Sequence, residues 1–243
     1  MGIVATDTSC YENIANLIRE RAGTEIGYTP EEMPDAIREA WDAAMYNIVL
    51  DGGKRSSAEY TFARWQCEYI RPPFVWKPTT RTISCFQNNS KLKKIEKQYF
   101  DFSGCPISYG TGSSGHYYIC AYCYNLEVFE DIGLPPSGYA FTWTSCIKLH
   151  TIELVRSHKQ TQYDSAFWQC DELVNIRFEG EIGQRFSIIS CGKLSDDSIN
   201  DIIDHLADLT GETAKTITFH SNITTKLTTE QVTRITNKNW TLG

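Results

Sequence analysis

The chain has no apolar run approaching the roughly 20 residues that a membrane-crossing helix needs, so no membrane insertion is expected. It also lacks a surplus of basic charge: 23 Lys and Arg against 30 Asp and Glu leave a formal net charge of −7. Phosphate backbones are held by clustered cations, so nucleic acid is not an expected partner. No phosphate-binding loop and no dinucleotide fingerprint occurs in the sequence. The five histidines, at 116, 150, 158, 205 and 220, show neither His-x-Glu nor His-x3-His spacing. Residues 1–11 have neither a basic start nor an apolar run, and no secretory signal is read in them. Nine cysteines in such a chain point to reduced thiols ahead of a disulfide framework.

What the sequence does have is a repeat. Residues 166–178 carry an aromatic residue, Cys170, Leu173, Ile176 and Phe178 in the order aromatic-x-x-Cys-x-x-Leu-x-x-Ile. The frame recurs at Trp143, Cys146, Leu149 and Ile152, at Cys123, Leu126 and Phe129, and at Phe86, Asn89, Leu92 and Ile95. A degraded copy opens the array around Cys67, and a truncated one closes it at Ile188, Cys191 and Leu194. The anchors at 67, 89, 123, 146, 170 and 191 are separated by 22, 34, 23, 24 and 21 residues. Four of these steps match one coil of a stacked repeat; the long step holds an insertion with a Gly/Ser-rich stretch at 110–115.

Leu and Ile three apart, followed by alternation, predict one short strand per copy, with neighbouring strands stacked in parallel. The pattern places Leu149, Ile152 and Leu154 inward and Glu153 outward, and repeats this with Leu173, Ile176 and Phe178 around Arg177. Cys67, Cys123, Cys146, Cys170 and Cys191 are expected as a buried ladder of free thiols, with Asn89 bonding to loop backbone in their place.

These motifs resemble the BspA-type leucine-rich-repeat family, over about residues 60–194. The resemblance implies an α/β repeat fold, a leucine-rich-repeat-like solenoid with a stacked parallel sheet, and a role in binding.

The ends differ from the middle. Residues 1–47 hold nine acidic and three basic residues and read as an N-terminal helical hairpin, with Cys10, Ile14, Leu17 and Ile18 on one stripe and Met33, Ile37, Ala40 and Trp41 on another. The text from Ile14 to Met33 resembles the N-terminal module of tail-associated proteins from phages and prophages of Gram-positive bacteria. That resemblance implies docking to other virion proteins through residues 1–47, with a simple cap as the bland alternative. After the solenoid at 48–194, residues 195–243 predict a small α/β cap. In it Ser195 opens a helix stopped by Gly211, 216–219 alternate as a strand, and Thr228 and Gln231 make a capping box.

Candidate chemistry is sparse. Cys120 and Cys123 have metal-ligand spacing, with Cys105 and His116 upstream, but Cys123 belongs to the ladder and no second pair follows, so no metal and no cofactor are expected. Glu127, Glu130 and Glu153 fall on exposed strand positions, and a glycan-active enzyme built on them is the remote alternative. Binding has more support. Aromatics off the core frame include Tyr109, Tyr117, Tyr118, Tyr122, Tyr124, Trp76 and Tyr163. Aromatic rings beside Asn, Ser and Gly suit recognition surfaces, and long insertions in compact stacks are usually functional. The candidate ligand-contacting residues are therefore Tyr109, His116, Tyr117, Tyr118, Tyr122 and Tyr124. The expected partner is a host-surface protein or glycan, with a homo-oligomer left open. The expectation is a non-enzymatic phage tail or baseplate protein in the virion, made in the bacterial cytoplasm; a bacterial cell-surface adhesin is the alternative.

Overall fold

The computed structural model describes residues 62–71, 75–79, 83–109 and 116–243. The helical hairpin expected over 1–47 and the Gly/Ser-rich segment 110–115 lie outside the described residues.

Each copy of the frame yields one short strand because its Leu and Ile turn inward and the residues between turn out. Strands β1 (Lys94–Ile95), β2 (Val128–Phe129), β3 (Thr151–Ser157) and β4 (Asn175–Gly180) form one sheet in chain order, every pair parallel. The frame sets the register. Ile95 lies opposite Phe129, Phe129 opposite Ile152 and Ile152 opposite Ile176, all buried. The degraded first copy joins through a parallel bridge from Tyr69 to Lys94.

One inward assignment is corrected. Leu154 is only half-buried and Val155 takes the inward place, because the register shifts between Ile152 and Val155 and brings Val155 opposite Phe178. A bulge of one extra residue reverses the facing of the residues beyond it, and period-two alternation does not anticipate it.

Ahead of each strand runs a turn segment that carries the frame Cys or Asn. Successive segments are joined by backbone hydrogen bonds, among them Phe86 N–H to Ile119 O at 2.7 Å, Cys120 to Thr142 at 2.9 Å and Trp143 to Ala166 at 3.0 Å. The ladder side chains add bonds of their own. The Cys123 thiol donates to Phe86 O and the Cys146 thiol to Cys120 O, both at 3.0 Å, and the Cys170 thiol donates to Trp143 O at 3.1 Å. Asn89, fully buried, donates to the carbonyls of Phe62 and Phe86 and accepts from Gln66 N–H at 2.9 Å. Free thiols occupy positions 85, 105, 120, 123, 146, 170 and 191. Cys67 departs from the expected ladder of free thiols, being disulfide-bonded.

The C-terminal part continues parallel pairing in a second sheet, β5 (Phe186–Ile188), β6 (Lys215–Phe219) and β7 (Trp240–Leu242), with helices α1 (Asp196–His205), α2 (Ser221–Thr224) and α3 (Thr229–Asn237) between and beside the strands. Ser195 caps α1, accepting from Ser198 N–H, and Thr228 with Gln231 forms the reciprocal capping box of α3. Helix α1 ends at His205, six residues short of Gly211. Leu206 turns to extended backbone and makes a parallel bridge with Ile182, a tertiary pairing that overrides the helical periodicity. Lys238 closes this end of α1 by donating to the carbonyls of Ile203, Asp204 and Leu206 at 3.1, 2.7 and 2.7 Å. One apolar cluster runs without a break from Phe62 to Trp240. Among the described residues, no helix is long and apolar enough to cross a membrane.

Candidate binding site

Four of the turn segments place two residues each on left-handed backbone, five positions and one position before the frame Cys or Asn, and the degraded first copy has Arg64 and Gln66 on such backbone. The pairs are Ser84 and Asn88, Tyr118 and Tyr122, Phe141 and Ser145, Ser165 and Gln169. Small or amide side chains fill most of these places, as the geometry favours. Tyr118, Tyr122 and Phe141 are bulky exceptions, with φ of 55°, 63° and 54°, and Arg64 of the first copy, at 64°, is another large residue on such backbone. A bulky side chain in this region costs on the order of 1 kcal/mol, and the equivalent places in neighbouring copies show that the fold does not need one there.

These rings lie together. Tyr118 stacks on Phe141 with centroids 4.9 Å apart and planes 7° from parallel, and Tyr122 follows Tyr118 at 6.4 Å and 19°. Tyr117 meets Tyr118 edge-on at 4.3 Å and Phe141 at 6.0 Å, and Tyr124 meets Tyr122 at 6.4 Å. Tyr117, Tyr118, Tyr122 and Phe141 are half-buried, and Tyr124 is 43% exposed. The backbone beneath them is fixed: Tyr118 N–H donates to Ala140 O, Tyr122 N–H to Thr144 O and Phe141 N–H to Asp164 O, at 3.1, 2.8 and 2.9 Å. The result is a rigid, part-exposed aromatic strip running across adjacent copies. Burial, and then the neighbouring phenols of Tyr117 and Tyr122, raise the Tyr118 hydroxyl's pKa, so it stays protonated at neutral pH.

The six candidates thus separate. Tyr117, Tyr118, Tyr122 and Tyr124 come together. Tyr109 sits apart, its ring stacked on His158 at 4.3 Å. His116 is buried at 1% exposure, with its Nε2 2.8 Å from Pro135 O and its ring 5.1 Å from Tyr139, and it presents no surface to a ligand. Burial drives its pKa down to about 4, so the ring is neutral. Trp76 and Tyr163, read as off the core frame, are core residues. Phe141 belongs to the strip and is absent from the sequence-based candidates. It lies five residues before Cys146, as Tyr118 lies before Cys123, so aligning the copies by their cysteines gives the signal that finds it.

Elsewhere Glu127 is exposed, while the other carboxylates that suggested chemistry pair with cations. Glu130 pairs with Lys94 at 2.5 Å and accepts the Lys97 amide at 2.9 Å. Burial alone would raise its carboxyl pKa, but these bonds hold it below the ordinary value. Glu153 takes Lys97 Nζ at 2.7 Å and the Asp131 amide at 2.8 Å. Asp131 is bidentate to Arg156 at 2.6 and 2.7 Å, and Arg156 reaches on to Glu179. Glu130, held ionised by its bonds to Lys94 and Lys97, is poorly suited to donate a proton as a glycosidase acid must. Cys105 donates to Pro78 O and Cys123 to Phe86 O, and among the described residues no group of three His, Cys, Asp or Glu side chains is placed to hold a metal.

In comparisons with family models, with curated proteins and with solved structures, nothing matches this chain.

Proposed function

We propose that the chain is a non-enzymatic binding protein, a leucine-rich-repeat-like solenoid that engages a host-surface ligand through the aromatic strip. Parallel strands in chain order, beginning 34, 23 and 24 residues apart, support the solenoid reading. The observation that carries the binding reading is the strip itself. Three bulky rings from adjacent copies occupy left-handed positions that the other copies fill with Ser, Asn, Gln or, in the first, Arg64, and they remain part-exposed. Strain retained without a packing need marks functional sites, and rigid aromatics on a fixed backbone make contact area at little entropic cost. The pairing of Glu130 and Glu153 with lysines, and of Asp131 with Arg156, supports the non-enzymatic half.

The N-terminal text supports a place in a phage virion, as a tail or baseplate component docked through residues 1–47. Two measurements test this. Fluorescently labelled full chain should cosediment with Gram-positive cells, and mass spectrometry should find the chain in purified phage particles. No cosedimentation with any host tested would sink the binding reading. Recovery from cell walls and never from particles would replace the virion reading with that of a surface adhesin.

A further inference from the structure

We infer that the strip formed by Tyr117, Tyr118, Tyr122 and Phe141 takes an uncharged saccharide, seated by ring stacking and by the tyrosine hydroxyls at its rim. This rests on the strip being a binding surface and goes further by naming the ligand's chemistry.

Three features of the strip select that class. First, it is electrically quiet. Its members are three phenols and one phenyl ring packed on one another, with no carboxylate or cation among them. The sheet-face cations are committed to pairs of their own, Lys94 with Glu130, Lys97 with Glu153 and Arg156 with Asp131. A polyanion would find no matching charge there. Second, the backbone offers nothing to an extended peptide. The amides of Tyr118, Tyr122, Phe141 and Ser145 all donate to the next copy, so strand addition, which recognises a peptide through free backbone groups, has no edge to use. Third, the side chains combine an apolar body with a hydroxyl. A sugar ring has the complementary form, with C–H faces bordered by hydroxyls, and Tyr places one apolar face and one hydrogen-bonding group at low conformational cost.

The test uses the full chain, cells to which it binds, and Tyr118→Ser/Phe141→Ser. Serine already stands at the equivalent places, Ser84 and Ser165, so the double variant is compatible with the fold. Cells are treated with periodate, which cleaves vicinal diols, or with protease. Soluble probes are maltohexaose and cellotetraose, neutral sugars whose residues carry vicinal diols, and polygalacturonate as an acidic one, measured by calorimetry. The expected result is binding that periodate abolishes and protease spares, with the double variant weaker by about 10-fold or more. Binding that survives periodate and is lost to protease, or calorimetric preference for polygalacturonate, overturns the saccharide while leaving the binding surface intact. Wild-type binding that the double variant retains in full overturns the strip as the site.

Discussion

Gly180 gives the sharpest test of how the parallel copies are held together. It closes β4 opposite Ser157, the last residue of β3, with φ of +84°. An alanine Cβ there would lie 2.1 Å from Ser157 O and 3.1 Å from its carbonyl carbon. Those are backbone atoms of a paired strand, so they cannot swing aside as a side chain would. The Ser157 hydroxyl is also committed, donating to Glu181 O at 2.6 Å and accepting from Tyr163 at 2.5 Å. Gly211 supplies the control, because its φ is +83° and an added Cβ meets nothing within 4 Å. Gly211→Ala therefore isolates the cost of left-handed backbone, about 1 kcal/mol, or roughly 2–4 °C in Tm for a chain of this size. Gly180→Ala carries that cost plus the displacement of β4 from β3, for a total of roughly 3–5 kcal/mol. Urea denaturation followed by tryptophan fluorescence measures both. Equal losses for the two variants would refute the close approach of β3 and β4 at this point.

Three further outcomes concern groups inside the fold. Burial raises the pKa of every free thiol among the described residues, Cys105 and Cys123 to about 12, so in native protein at about pH 8 these thiols should stay almost unreacted with a thiol reagent until urea exposes them. His116 has a folded pKa of about 4 against an unfolded value near 6.5. The unfolded chain binds the extra proton between those values, so His116's contribution is complete above about pH 6.5 and declines by up to roughly 3 kcal/mol as pH falls toward 4. Wild type should lose urea resistance over that window more steeply than His116→Gln, and parallel pH profiles would contradict this. Replacing Lys238 by Met leaves the carbonyls at the end of α1 without their shared donor and should cost roughly 1–2 kcal/mol, read as a lowered Tm.

Much of the architecture was legible because the frame states the same instruction several times. Leu and Ile three apart fixed which residues face the core, and the Cys anchors fixed which copies are equivalent. Ser195 and the Thr228–Gln231 pair were readable as caps because their chemistry is local. Features set by contact with another copy were not readable. The shift that exchanges Leu154 for Val155 depends on the pairing of β3 with β4, and the early end of α1 depends on Leu206 meeting Ile182. Within the site, Tyr117, Tyr118, Tyr122 and Tyr124 stood out as aromatics beside the insertion. Phe141 did not, because its partnership with Tyr118 spans two copies. His116 was misplaced because a histidine next to a Gly/Ser-rich loop looks exposed, whereas its ring fills the space beside Tyr139.

The central claim is that the aromatic strip exists for a ligand and is dispensable to the fold. Measuring cell binding and Tm together on Tyr118→Ser/Phe141→Ser tests it most directly. Loss of the stack costs about 0.5–1.5 kcal/mol, and the smaller residues relieve a similar amount of left-handed strain. The account predicts binding reduced by about 10-fold or more with Tm within a few degrees of wild type. Full binding together with a large fall in Tm would contradict it and make the strip part of the packing.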